Sequence, residues 1–277
     1  MSDILKLVFR TFRSKKDLKT DFRVAPPTTC GNTLLLGDHS ISRSILLLAA
    51  VTAAETGMKV VFFTQTQIQS LPVCLQKCVP TLSPESLKKI KFCYPGRVEE
   101  LLQQVASLHE SINLYPTPPS LIIIDRLDSY LCGPGSGGTC GFHSGEQSLA
   151  AHLSALLCDS AAFLTQLLKQ RSSSTGPCRF IASFQSGVEF GKEDGEASTT
   201  DPILEVLDRY FQVRCTLDRD RSYEATAAGL QEIWHTYFSA TQIPQAFLSK
   251  DSEDRSSIDQ EWQLLVFPDG LMEFKLV

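Results

Sequence analysis

Short apolar runs alternate with segments whose apolar residues recur at helical spacing. The run at residues 59–64 is β-branched and aromatic, and the run at residues 121–125 is apolar up to a terminal acid, as expected of fully buried strands. Residues 97–111 repeat apolar side chains every three or four positions, which predicts an amphipathic helix. These criteria predict strands at residues 33–36, 59–64, 91–94, 121–125 and 179–184, and helices at residues 43–56, 84–89, 97–111, 147–171 and 202 to about 210.

From residue 211 onward the pattern contains strands alone. They are predicted at residues 211–217, 233–238, 262–267 and 271–277, and Pro-Asp-Gly between the last two indicates a terminal hairpin. Alternating strands and helices followed by a strand-only tail predict an α/β fold, with a mostly parallel sheet and antiparallel C-terminal strands. We expect a basic N-terminal arm and linker at residues 1–29, and a core domain with a C-terminal β extension at residues 30–277.

The charge of the chain is unevenly distributed. The net charge is −5, but residues 1–23 hold seven Lys or Arg against three Asp, which makes this segment +4 and the remainder −9. Apolar residues also recur at helical spacing there, namely Ile4, Leu5, Val8, Phe9 and Phe12, a pattern that suits docking on a partner. A basic arm on an acidic body can bind nucleic acid, an acidic partner, or neither.

The turn after the first predicted strand resembles a damaged phosphate-binding loop. The phosphate-loop pattern requires Gly, four residues, Gly-Lys, and then Ser or Thr. Gly37 and Ser44 match the two ends of this pattern, whereas Ser42 replaces the second glycine and Arg43 replaces the lysine. Backbone N–H groups at a helix N-terminus would still face an anion. An ordinary strand-turn-helix with a glycine at the bend explains the same residues.

Four predicted strands end in polar residues or glycine. Gly37, Gln65, Asp125 and Gln185 each lie at or next to the carboxyl end of a predicted strand. Nucleotides bind α/β sheets at these ends, so the convergence indicates one site.

Two other kinds of site find little support in the sequence. Cys132, Cys140 and His143 are close together, but no credible fourth ligand completes a tetrahedral zinc site, so we expect no metal centre there. The sequence also has no run of about 18 apolar residues that would indicate a membrane span.

The order of these parts resembles the RecA-like recombinase core, a P-loop NTPase fold. The resemblance is carried by LLLGDHSISRSILLLAA, KVVFFTQTQIQSLP, LKKIKFCYPGRVEELLQQVASLHE, PSLIIIDRLDSYL and LDRYFQVRC, and it spans roughly residues 30–220. Among recombinases, the sequence comes close to the small paralogues that associate with a SWIM-type zinc-finger protein. The resemblance implies a nuclear accessory factor of homologous recombination, in a heterodimer with that partner, and a family associated with single-stranded DNA and with ATPase activity.

The resemblance also assigns roles at the candidate site. It implies that Ser44 would bind the magnesium of a Mg–ATP ligand and that Asp125 would hold that ion through water. Gln185 matches the amide that senses the terminal phosphate. The position of the carboxylate that activates water holds Gln65, which cannot accept a proton. The loss of both the lysine and the carboxylate favours a pseudo-ATPase; the alternative is slow turnover supported by Arg43, with other groups supplied by the partner.

The same resemblance locates two DNA-binding loops and a partner motif. The loops would be residues 132–145, which carry no charge, and residues 186–201, which are acidic, so both lack the cations that bind phosphates. We therefore expect contact with single-stranded DNA through the basic arm or through the partner. Phe22 and Ala25 match the F-x-x-A motif by which recombinases dock on a neighbouring protomer, and we interpret them as a recombinase anchor.

Overall fold

A computed structural model defines the architecture of the chain. It describes residues 4–14, 31–70, 72–113, 117–132, 144–171, 176–186, 201–220, 229–241 and 261–277. The helices are α1 (Ile4–Thr11), α2 (His39–Glu55), α3 (Val73–Cys78), α4 (Pro84–Leu87), α5 (Val98–Ala106), α6 (Leu127–Leu131), α7 (Ser144–Arg171) and α8 (Pro202–Leu207), and a 3₁₀ helix covers Ser107–Asn113. The strands are β1 (Thr33–Leu36), β2 (Val60–Phe63), β3 (Ile90–Cys93), β4 (Leu121–Ile124), β5 (Arg179–Phe184), β6 (Val213–Arg219), β7 (Glu232–Ala240), β8 (Glu261–Val266) and β9 (Met272–Leu276).

These strands form one nine-stranded sheet in the order β3-β2-β4-β5-β1-β6-β7-β8-β9. All pairs from β3 to β6 are parallel, and the pairs β6–β7, β7–β8 and β8–β9 are antiparallel. The predicted fold class is therefore confirmed, including the antiparallel C-terminal extension and its terminal hairpin.

Side chains alternate between two apolar layers, one on each face of the sheet. In β1, Leu35 belongs to the layer that contains α2, whereas Leu34 and Leu36 belong to the layer that contains α7. This alternation is the period-two geometry of a strand buried on both faces. The two helices therefore sandwich the parallel strands and fix the positions of their carboxyl ends.

Helix α1 packs on the core of its own chain. Leu5, Val8 and Phe9 are fully buried, and the Phe9 ring stacks on Phe274 of β9 with centroids 4.2 Å apart. Residues 12–14 continue as an extended segment that bonds β9: Phe274 donates to the Phe12 carbonyl, and Ser14 donates to the Phe274 carbonyl, both at 2.9 Å. The apolar face of α1, which we expected to dock on a partner, is thus covered by β7, β8 and β9 of the same chain. An amphipathic pattern predicts that a helix face is buried, but it does not specify which surface covers that face.

Helix α7 is long and apolar enough, between Gly145 and Arg171, to cross a membrane by length and composition alone. Its Leu153, Leu157 and Leu164 are buried in the second apolar layer together with β4 and β5. The helix is therefore apolar because it packs in the core of the protein.

Candidate nucleotide site

The carboxyl ends of four neighbouring strands meet at one edge of the sheet. Gly37 follows β1, Gln65 lies two residues after β2, and Asp125 and Gln185 directly follow β4 and β5. Because β2, β4, β5 and β1 are adjacent in the sheet, these residues lie side by side, as the sequence indicates. Their role in binding a nucleotide stays a prediction.

The turn after β1 is shorter than a phosphate-binding loop. Helix α2 begins at His39 rather than at the predicted Arg43, so the residues that would form the loop are helical. Asp38 caps this helix: its Oδ1 accepts hydrogen bonds from the Ser40 backbone N–H at 2.8 Å and from the Ser40 hydroxyl at 2.6 Å. One of the N–H groups that were expected to face an anion, that of Ser40, is therefore taken by the carboxylate of the cap.

The charge of the cap opposes phosphate binding. The hydrogen bonds from Ser40 hold the pKa of the Asp38 carboxyl below its ordinary value, so the group is ionised at neutral pH. A carboxylate at the positive end of a helix dipole takes the place that an anion of a ligand would occupy. Asp38 thus places a negative charge at the N-terminus of α2, where an anion would otherwise be favoured.

The serines and the glycine of the motif serve the fold in this arrangement. The side chain of Ser42 is fully buried, and the Ser44 hydroxyl donates to the Ser40 carbonyl at 3.0 Å within α2. A Cβ atom on Gly37 would lie 2.8 Å from the Cβ of Leu217 in β6, so close packing requires glycine there. Gly37 and Ser42 thus lie at packed positions, and Ser44 is bonded within its own helix.

Arg43 and Asp125 form a partly buried ion pair. The Arg43 Nε lies 3.6 Å from Asp125 Oδ2, and the guanidinium also donates to the Thr66 carbonyl at 3.1 Å. The Thr64 hydroxyl donates to the same carboxylate oxygen at 3.0 Å. Burial raises the pKa of the Asp125 carboxyl, while the Arg43 guanidinium and the Thr64 hydroxyl oppose that shift. The charge that would attract magnesium is therefore balanced by a side chain of the same chain.

Gln65 and Gln185 each donate hydrogen bonds to neighbouring residues. The Gln65 amide donates to the Gly96 carbonyl at 3.3 Å and to the Ser129 carbonyl at 3.5 Å, so this position offers no base for an attacking water. The Gln185 backbone N–H donates to Asp128 Oδ1 at 3.2 Å.

Three residues at this edge escaped the sequence analysis. Asp128 also lies 3.3 Å from His39 Nε2 and so links α6, α2 and the end of β5. Arg126 adopts a left-handed conformation (φ 59°) and its N–H donates to the Ser183 hydroxyl at 2.8 Å. A non-glycine residue in this region of φ/ψ space is uncommon and clusters at functional sites. The capping residue Asp38 could have been found, because an Asp two residues before an apolar helical pattern is an N-cap signal.

These contacts do not fit a magnesium–triphosphate ligand. Asp38 places negative charge at the N-terminus of α2, Ser44 is bonded within its helix, and Arg43 neutralises Asp125. By contrast, Asp125 Oδ1 is a buried oxygen without a hydrogen-bond partner in the described part of the chain, and it resembles an open ligand position.

The remaining predicted sites fall largely outside the described residues. Phe22 and Ala25, Cys140 and His143, and most of both predicted DNA loops lie there. Cys132 belongs to a disulfide bond, which removes its sulfur from a zinc ligand set. Over the described ranges, no cluster of three His, Cys, Asp or Glu side chains could hold a metal ion.

Comparisons with known proteins identify the family. No known protein-family profile matches the chain. A Mus musculus protein named ATPase SWSAP1 is 36% identical over 191 residues, which are 68% of this chain and 58% of the mouse protein. The Homo sapiens protein of the same name is 34% identical over 193 residues, which are 68% of this chain and 71% of the human protein. The chain belongs to the SWSAP1 family.

Solved structures support the fold. The chain superposes on a solved ATPase domain with a TM-score of 0.51 and 12% identity, covering 88% of this chain and 84% of that domain. At this identity the likeness concerns the fold alone, a RecA-like ATPase fold. The match to mouse SWSAP1 covers less than two thirds of that protein, 58% of its length.

Proposed function

We propose that the chain is a nuclear accessory factor of homologous-recombination DNA repair that works in complex with a SWIM-type zinc-finger protein. In this proposal it supports recombinase filaments on single-stranded DNA and does not hydrolyse ATP. Membership of the SWSAP1 family and the RecA-like fold support a recombination-related factor.

The observation that carries the proposal is the internal neutralisation of the nucleotide site. Arg43 pairs with Asp125, and Asp38 caps α2 with a negative charge. A site built for turnover would keep its acid available for the metal and its helix N-terminus available for phosphate. Here both functions are taken by side chains, which suits a scaffold that holds its shape without a ligand.

A second function has support from a different observation. The mouse and human relatives are both named as ATPases. In this alternative, the chain is a single-stranded-DNA-stimulated ATPase whose partner supplies the missing groups, and Arg43 must leave Asp125 to contact phosphate.

ATP turnover by the purified complex separates the two functions. The full chain with its zinc-finger partner is assayed with Mg–ATP, with and without single-stranded DNA, beside Asp125→Asn as the control for contaminating activity. We expect no turnover above that control, while the complex still slows dissociation of recombinase from DNA. DNA-stimulated turnover that disappears in Asp125→Asn would establish the ATPase instead.

The recombinase contact has its own test. In this proposal, Phe22 and Ala25 anchor the recombinase, so Phe22→Glu/Ala25→Glu should abolish its co-purification and leave the zinc-finger complex intact. A matched control is Phe12→Glu, because Phe12 lies beside the apolar layer formed by α1 and β9 and its change should affect folding instead. Unchanged recombinase association in the Phe22/Ala25 variant would show that the motif match is fortuitous.

A further inference from the structure

Four lysines surround a small cavity far along the sheet from Gly37. Lys59, Lys88, Lys89 and Lys91 line this cavity of about 100 Å³, which lies at the amino ends of β2 and β3. We call this cluster the lysine edge, because β3 is the outermost strand on that side of the sheet.

The lining of the cavity carries charge of one sign. Within the described part of the chain, no acidic residue lines it, and the rest of the lining is uncharged, consisting of Val60, Val61, Leu108, Thr117 and Pro119. The whole chain has a net charge of −5, so a concave surface with cations only is unusual for its composition. Clefts lined by one sign of charge concentrate ligands of the opposite sign.

Local structure explains why the lysines gather there. Ile90 and Phe92 of β3 face the apolar layer that contains α2, so strand alternation turns Lys91 to the opposite face of the sheet, where it is exposed. The Lys89 ammonium donates to the Ala54 carbonyl at 3.1 Å, near the C-terminal end of α2, where a cation is favoured. Lys88 lies 3.0 Å from Glu85, and both side chains are largely exposed, so solvent screens this pair.

The cationic surface continues beyond the cavity. Tyr94, with 40% of its side chain exposed, directly follows β3, and Arg97 is exposed three residues further on. A strand advances about 3.3 Å per residue and alternates its side chains, so Tyr94 lies about 10 Å from Lys91 along the outermost strand and towards its other face. Cations that contact phosphates, interleaved with aromatic rings that stack on bases, are typical of single-stranded nucleic-acid surfaces.

We propose that the lysine edge binds the phosphates of single-stranded DNA, with Tyr94 as a stacking platform for a base. The inference deepens the proposed function, on whose single-stranded DNA role it rests. It replaces the expected contact through the basic arm, part of which is committed to the fold: the apolar face of α1 is buried, and its Lys6 ammonium lies 5.1 Å from the centre of the Phe238 ring. An acidic peptide would also match the lysines, but it would leave the exposed Tyr94 without a role.

Binding of a labelled oligo(dT) by the full chain tests the proposal across a series of salt concentrations. Lys88→Glu/Lys91→Glu changes two exposed cavity residues, and Lys169→Glu/Lys275→Glu makes the same change in charge at exposed lysines on α7 and β9. We expect the first variant to lose about tenfold or more in affinity, and the slope of log K against log salt to shrink by about 1.4, or about 0.7 per lost phosphate contact. The control should match the parent chain in slope. Tyr94→Ala should weaken binding by about tenfold with an unchanged slope, because stacking is not ionic.

Two results would overturn the proposal in different ways. If Lys15→Glu/Lys16→Glu/Lys19→Glu abolishes binding while Lys88→Glu/Lys91→Glu does not, DNA binds the arm, and the proposed function survives without the lysine edge. If the parent chain does not bind oligo(dT) but binds polyglutamate through Lys88 and Lys91, the edge recognises an acidic protein, and direct DNA binding by this chain fails as well.

Discussion

The two charged regions of the sheet differ in how their charges are balanced. At the carboxyl ends of the strands, Arg43 faces Asp125, and His39 faces Asp128. At the lysine edge, four lysines line one cavity that contains no acid among its described lining residues, although Lys88 also pairs with Glu85 outside that lining. One region pairs a buried carboxylate with a cation, whereas the other presents exposed lysines around a cavity whose described lining contains no acid.

This difference separates structural charges from charges suited to recognition. An ion pair that includes a side chain with 1% exposure, such as Asp125, contributes to the fold because either partner alone would be costly to bury. Exposed lysines contribute little to folding, so their clustering needs another explanation. In this family member, the usual nucleotide site of the fold and the surface that binds a ligand could therefore lie at different places on the sheet.

The largest expected effect comes from removing the cation at the carboxyl ends. Arg43→Ala leaves a buried carboxylate without its ionic partner, so the free energy of unfolding should fall by about 2–4 kcal/mol. The pKa of Asp125, already raised by burial, should rise further. A raised pKa of an acid gives stability that is present below the unfolded value of 3.8 and lost as pH rises through the folded value, so the deficit should be larger at neutral than at acid pH.

Urea unfolding across pH measures this effect, with Arg43→Ala/Asp125→Asn as the matched control. The double variant has no buried charge without a partner, so it should be more stable at neutral pH than Arg43→Ala. Equal stability of the two variants would mean that the pair is not coupled and that the site is not internally neutralised.

A smaller effect is expected at the cap of α2. Asp38→Ala should cost about 1 kcal/mol, whereas Asp38→Asn should cost a few tenths, because asparagine also accepts the bond from the Ser40 N–H. The lowered pKa of Asp38 gives stability that is present above the unfolded value of 3.8 and lost as pH falls through the folded value, so the cost of Asp38→Ala should become smaller in acid, where only the neutral hydrogen bond remains.

The same cap variants test the charge argument with ADP. Asp38→Asn removes the negative charge but keeps the helix start, so it should bind ADP more tightly than the parent chain in a titration followed by calorimetry. Unchanged ADP affinity would show that Asp38 does not stand in the place of a phosphate.

The smallest effect is expected at the lysine edge. Lys88→Ala/Lys91→Ala should change the free energy of unfolding by no more than about 0.5 kcal/mol, as for most surface substitutions. Thermal and urea unfolding measure it. A loss comparable to that of Arg43→Ala would make these lysines structural and would remove the contrast between the two regions.

The sequence predicts the sheet well because each strand is determined by the apolar residues of its own segment. The runs that form β1, β2 and β4 are buried at every position. Apolar runs of this length are too short for a buried helix, so they predict strands. The polar residues that end them are equally visible, so their convergence follows from the geometry of parallel strands. Short helices such as α3 and α6, with six and five residues, offer too few positions to show a period and were not predicted.

The state of the site could not be predicted, because it depends on contacts between distant segments. A motif match fixes the positions of Gly37 and Ser44 but not the first residue of the helix between them, and here Asp38 starts that helix early. Likewise, the sequence shows that Arg43 replaces a lysine, but only the structure shows that it is paired with Asp125. The apolar face of α1 is visible in the sequence, while the surface that covers it is not.

The contact between α1 and β9 constrains the order in which this protein acquires its structure. The Phe9 ring packs on Phe238, Trp262 and Phe274, which are supplied by the last three strands. The helix also packs on α2, which is near it in sequence, so its apolar face has one partner from a nearby segment and three from distant strands. Contacts of long sequence separation form slowly, so we expect α1 to pack on α2 early in folding and the contact of Phe9 with the three strands to form late.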